Sequence, residues 1–287
     1  MAVRRLDSHV HVWDWQLETY DWMTDEMAAI RRPFTIDDLR PHLHDHSVTG
    51  AVLVQTCPSL DETRQFLALA DEHPEIVGVV GWVDLTDRGV DDVVRELREG
   101  PGGRWLVGVR HQVHDEADPN WLDRDDVRRG IAALGRHGLV YDVLVRTREL
   151  PAAVRLVEDL TDQRFVIDHI AKPPIASGER GPWATRMRQF AGAPHVACKF
   201  SGMVTEADWT SWTVSDLKPY ADVVLEVFGP GRVLFGSDWP VCTVAASYPQ
   251  VVRAADELLA DLDDHARDRV SYRTAVETYG LHVGAGS

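Results

Sequence analysis

Residues 3–15 read VRRLDSHVHVWDW. The apolar positions alternate into an extended segment, and a strand puts residues i and i+2 on one face, so His9 and His11 point the same way. No glycine follows, whereas a doubly wound dinucleotide fold carries a glycine-rich phosphate loop after its first strand. That turn favours a barrel if the rest of the chain alternates strand and helix.

It does. Seven further β-rich runs occur: GAVLVQT (50–56), IVGVVGWVDL (76–85), RWLVGVRH (104–111), LVYDVLV (139–145), RFVIDHI (164–170), HVACKFS (195–201) and RVLFGSD (232–238). Between and after them lie eight segments with helical spacing: 35–46, 60–73, 89–100, 123–138, 149–162, 181–192, 213–229 and 248–262. Apolar strands alternating with amphipathic helices imply a parallel sheet covered by helices. Eight repeats in 287 residues match a (β/α)₈ TIM barrel. No Pro/Gly/Ser linker divides the chain, so residues 1–287 are read as one domain, with GLHVGAGS (280–287) as a frayed tail.

With 46 acidic and 30 basic side chains the formal charge is −16. This repels phosphate backbones and anionic lipid, so neither nucleic acid nor membrane is expected as partner. No apolar run approaches a membrane span and no leader is evident. Cys57, Cys198 and Cys242 are too few and too scattered for a disulfide framework. A cytoplasmic enzyme of small molecules is the expectation, with a homo-oligomer left open.

Barrel chemistry collects at the C-terminal strand ends. Those ends carry His9 and His11, Gln55, Arg110 and His111, Asp142, Asp168 and His169, and Ser237 and Asp238. Strict alternation predicts that His169 faces inward and Asp168 faces the helices, where it orients a neighbour at best. Asp238, a charge ending the apolar run RVLFG, is the carboxylate most expected to act. Pro240 argues against a regular helix directly after it. Trp13, Trp15, Trp22 and Trp239 flank mouth positions and suit a ring substrate, or else pad loops. HLHDH (42–46) reads as a solvated helix surface. Lys199 is read as packing, Ser201 as packing or a substrate contact, and His114, His137 and His265 receive no function.

SHVHVWD, GVRHQV, FVIDHIAKPPI, CKFSGM and FGSDWPV together resemble the amidohydrolase superfamily, in the branch related to 2-pyrone-4,6-dicarboxylate lactonase and to L-fucono- and L-rhamnono-lactonases. The resemblance implies a distorted (β/α)₈ TIM barrel, with Asp238 as general base and with His9, His11 and His169 around the reacting carbonyl. It also implies Arg110 and His111 as substrate-facing groups, and Gln55 and Trp239 are expected as walls. The bridging lysine or glutamate and the strand-five histidine of binuclear members have no counterpart in GVRH or YDVLVR. The expectation is therefore no required cofactor, or a single Zn²⁺ at His9, His11, His169 and Asp238. The implied reaction is hydrolysis of a small-molecule lactone, with the modest number of positive side chains at the mouth tilting toward a neutral sugar (aldono) lactone. The alternatives are a dicarboxylate pyrone lactonase, a metal-dependent decarboxylase of an aromatic or unsaturated acid, or a non-catalytic binding protein.

Overall fold

The computed structural model describes residues 4–14, 20 and 22–283; Trp15 lies outside the described residues. Its strands are β1 (Arg5–Val10), β2 (Val48–Val54), β3 (Ile76–Gly81), β4 (Leu106–His111), β5 (Val140–Val143), β6 (Phe165–Ile167), β7 (Val196–Phe200) and β8 (Val233–Phe235). They form one sheet in sequential order, each strand parallel to the next. The β1–β8 seam is closed by backbone bonds from Asp238 N to His9 O at 2.9 Å and from His11 N to Trp239 O at 2.7 Å. The result is the nearly closed (β/α)₈ barrel that the alternation predicts.

The eight expected helical segments are present as α1 (Ile36–Asp45), α2 (Leu60–Glu72), α3 (Val90–Glu99), α4 (Asp125–Arg136), α5 (Leu150–Asp159), α6 (Gly181–Met187), α7 (Val214–Phe228) and α8 (Tyr248–Leu258). Their apolar stripes do the burying: Val90, Val94 and Leu97 of α3 repeat at helical spacing and are buried. Thr35 starts α1 with a capping box to Asp38. After Asp238–Pro240 the chain makes only a short 3₁₀ turn, Val241–Val244.

Two further helices, α9 (Asp264–Asp268) and α10 (Thr274–Tyr279), joined by a π turn, extend beyond those expected. Tyr272, Ala275, Tyr279 and Leu281 pack into the barrel's inner cluster with Leu6, Val52, Val80, Val140, Val166 and Leu234. The segment read as a frayed tail is thus corrected in part. Leu281 is buried because the strands leave an apolar bore that these side chains fill. Among the described residues no helix is long and apolar enough to cross a membrane.

Candidate active site

A β-bulge between Asp7 and Val10 lets β1 turn Leu6 into the bore lower down and both histidines toward the mouth higher up. Asp7 pins this bend: its Oδ1 accepts from His9 N at 3.1 Å and Ser237 N at 2.8 Å, and its Oδ2 from Tyr248 Oη at 3.0 Å. Burial pushes its carboxyl up to about 6. Nε2 of His9 and Nε2 of His11 then lie 3.1 Å apart.

β6 ends at Ile167, and residues 169–172 all adopt positive φ, between 45° and 60°. Alternation carries Asp168 inward above Val166, and the left-handed run swings His169 inward as well. The expectation that Asp168 faces the helices is therefore corrected. Its Oδ2 accepts from Arg110 Nη1 at 3.1 Å. Asp238 also has positive φ, 60°. Such backbone costs of order 1–3 kcal/mol per residue, and it recurs where chemistry demands a side-chain direction.

The four predicted groups converge. Asp238 Oδ1 lies 3.5 Å from His11 Nε2, 3.8 Å from His9 Nε2 and 3.9 Å from His169 Nε2. Burial pushes all three imidazoles below their ordinary range, so they are neutral at pH 7. Burial alone would raise the Asp238 carboxyl, but His169 and His11 beside it hold it below the usual carboxylate range. Asp238 is thus an ionised base in a buried setting.

Beneath them lies a charge-balanced floor. Lys199, fully buried on β7, sits 2.6 Å from Asp142 Oδ2, 3.0 Å from Asp168 Oδ1 and 3.1 Å from His9 Nδ1. Burial raises the Asp142 carboxyl to about 6, with Lys199 opposing the rise. Burial would likewise raise Asp168, yet Lys199, His9 and Arg110 hold it well below the ordinary range.

The donors suit one divalent ion. His11 Nδ1 is 2.7 Å from Val54 O and must carry its proton there, leaving a lone pair on Nε2. A ring fixed from behind by a carbonyl is the usual support of a metal-bound histidine. His9, His11 and Asp238 present ligand atoms within 4.8 Å of one another. Asp168 Oδ1 has no aligned hydrogen-bond donor among the described residues and lies 3.6 Å from His9 Nδ1, where it could take that ring's proton.

Above the cluster opens a cavity of about 500 Å³. His11, Arg110, His169 and Asp238 line it, and His9 lies just below its surface. Three expected substrate contacts are corrected. Gln55 is fully buried and clamps Arg110, its Oε1 accepting from Nε at 3.0 Å and Nη2 at 2.8 Å. His111 follows Arg110 and so takes the opposite face of β4, stacked on Trp121 at 4.3 Å and accepting from Trp82 Nε1. Trp239 packs edge-on against Phe34 at 5.5 Å, away from the cavity. Ser201 touches His169 Nδ1 at 2.9 Å instead of lining the cavity.

The walls come from loops, where no periodicity announces them. Trp22 and Trp209 supply rings, His114 a neutral imidazole pushed down to about 3 by burial and by Lys172, Arg146 and Arg110 nearby, and Glu26, Asp115 and Glu206 supply carboxylates. Lys172 is ion-paired with Glu206. The sequence marked Trp22 as a mouth residue but gave His114 no role.

The amidohydrolase family profile matches residues 6–281. The chain is 40% identical over 261 residues to an L-fucono-1,5-lactonase of Burkholderia multivorans, covering 88% of this chain and 87% of that protein. It is 36% identical over 244 residues to an L-fucono-1,5-lactonase of Burkholderia ambifaria, covering 85% and 83%. The crystal structure of an amidohydrolase from Burkholderia multivorans with bound Zn superposes with a TM-score of 0.92 at 36% identity, covering 97% of this chain and 99% of that one.

Proposed function

The chain belongs to the amidohydrolase family, and from that membership we propose that it is a hydrolase that opens a neutral sugar lactone to the free acid. The observation that carries the reading is Asp238, an ionised carboxylate among three neutral imidazoles at the base of a cavity, in a chain similar to sugar lactonases.

Asp238 takes the proton of a water held at its carboxylate beside the imidazoles, and later returns it to the ring oxygen. Because His11 presents a lone pair when its Nδ1–H is given to Val54, the hydrogen-bond donors for the carbonyl oxygen are Arg110 and His169. Gln55 and Asp168 fix the direction of Arg110. An ester carbonyl needs less activation than an amide, so these side chains suit a lactone. One divalent ion would be held by His9, His11, His169 and Asp238 and would supply a Lewis acid for the carbonyl oxygen.

A neutral polyhydroxylated ring is favoured over a dicarboxylate by the charge of the walls. Arg110 is engaged by Asp168 and Lys172 by Glu206, which leaves Arg146 as the remaining wall cation, while Glu26 and Asp115 present carboxylates that accept hydroxyl hydrogens and would repel a second anion. Trp22 and Trp209 offer faces for the ring's C–H edges.

The test is acid release from a panel of aldonolactones, followed with a pH indicator, for wild type and Asp238→Asn. Hydrolysis of a member by wild type and its loss in the variant is expected. Background rates for both on every sugar lactone would overturn the reading.

A further inference from the structure

The Lys199 ammonium can only donate hydrogen bonds, and it lies 3.1 Å from Nδ1 of His9. In that contact Nδ1 accepts, so the proton of the neutral ring is on Nε2. There it points at His11 Nε2, 3.1 Å away, which carries a lone pair because the His11 proton is on Nδ1 facing Val54 O. Lysine, histidine, histidine and carbonyl form one directed chain of donors and acceptors.

The opposite tautomer is the one a metal requires. With the proton on Nδ1, the Nε2 lone pairs of His9 and His11 would face each other at 3.1 Å, and Nδ1–H would face the ammonium at 3.1 Å. A cation between the two Nε2 atoms removes the first conflict but not the second. Against this, the Nε2–H tautomer has one adverse contact, with Arg110 Nη1 at 3.2 Å, whose other hydrogen goes to Asp168 Oδ2. Two conflicts against one decide the ion-free state.

We propose that Lys199 is a positioning residue that holds His9 with its proton on Nε2 and thereby keeps the divalent-ion affinity of the His9, His11, His169 and Asp238 cluster low. Ion binding requires the His9 proton to leave Nε2 for Nδ1 and to turn from Lys199 toward the underused Asp168 Oδ1, 3.6 Å away. The inference rests on the cluster as the site but not on which lactone is opened. Its readouts are ion affinity and a tautomer, so it can fail while the lactonase reading stands, and the reverse.

The experiment titrates chelator-treated, folded protein with Co²⁺, following visible absorption, and with Zn²⁺ by calorimetry. Wild type is compared with Lys199→Met and with Lys199→Met/Asp142→Asn, the second keeping the buried floor charge-balanced so that it folds. Ion affinity in the double variant should rise on the order of 10-fold to 100-fold, the range of an outer-shell change at a metal site. In parallel, the long-range ¹H–¹⁵N spectrum of metal-free wild type should show His9 protonated on Nε2. Equal or weaker ion binding by the folded double variant, or a His9 proton on Nδ1 in metal-free wild type, overturns the proposal.

Discussion

Asp238 Oδ1 lies 3.5 Å from Nε2 of His11, so the carboxylate that follows the last strand sits against the imidazole that follows the first. Replacing Asp238 by Asn removes the base while keeping the side chain's size. Turnover should fall by roughly 10²–10⁴-fold, while binding of a non-hydrolysed lactone analogue, followed by calorimetry, persists. Loss of binding together with turnover would mean that Asp238 holds the ligand and does not act on it.

The pH profile follows from the same carboxylate. Its ionised form is the active one and its carboxyl is held below the ordinary range, so protonation begins only under acid conditions. Burial pushes the three imidazoles the same way, below the ordinary histidine range. The rate kcat/KM for lactone hydrolysis should therefore hold level from neutral pH down to about pH 5, past the range where an ordinary histidine gains its proton. An acid limb near the ordinary histidine value would assign the base to an imidazole.

Gly202 has a φ of 65°, and a Cβ built on it would meet His169 Nδ1 at 2.6 Å. Gly202→Ala thus adds backbone strain of about 1–2 kcal/mol and pushes the ring away from Asp238. We expect kcat to fall at least about tenfold while thermal melting records only the modest strain. Unchanged kcat would show that the position of His169 does not matter to the reaction.

Arg110 and Lys199 together balance Asp142 and Asp168 in a floor closed to solvent. Arg110→Met leaves one buried carboxylate in excess, a loss of about 3–5 kcal/mol measurable by urea unfolding. Gln55→Ala keeps the charge and loses only the clamp, so it should cost less stability yet still lower kcat.

Trp22 and Trp209 face the cavity with their indole N–H groups already given to Thr56 O and Thr205 O. Their remaining offer is the ring face. Alanine at either position should raise KM by roughly tenfold or less with kcat near that of wild type, as expected when about 1 kcal/mol of uniform ring contact is lost. A fall in kcat alone would place the rings at the reacting atoms.

The barrel was legible because its signal is periodic: every strand and the first eight helices bury a face, and burial writes the period into the chain. The same period separates Arg110 from His111, since adjacent strand residues cannot both face the mouth, yet both were expected to face substrate because the resemblance implied it. It misled at Asp168 and His169 because β6 stops at Ile167, and four positive-φ residues with no glycine among them then redirect the chain. Lys199 was passed over because a charge inside an apolar strand is intelligible only once Asp142, Asp168 and His9 are seen around it. Trp209, His114 and Glu206 reach the cavity from loops, whose paths depend on contacts far away in sequence.

The seam where Asp7 holds Ser237, 230 positions distant, bears on how the protein comes into being. A chain emerging from the ribosome can pair its early strands at once, but His9 and His11 wait for Asp238 until nearly the whole barrel has been synthesised. Such distant pairing is slow to form, so nascent fragments ending before β8 should be inert whatever structure they hold.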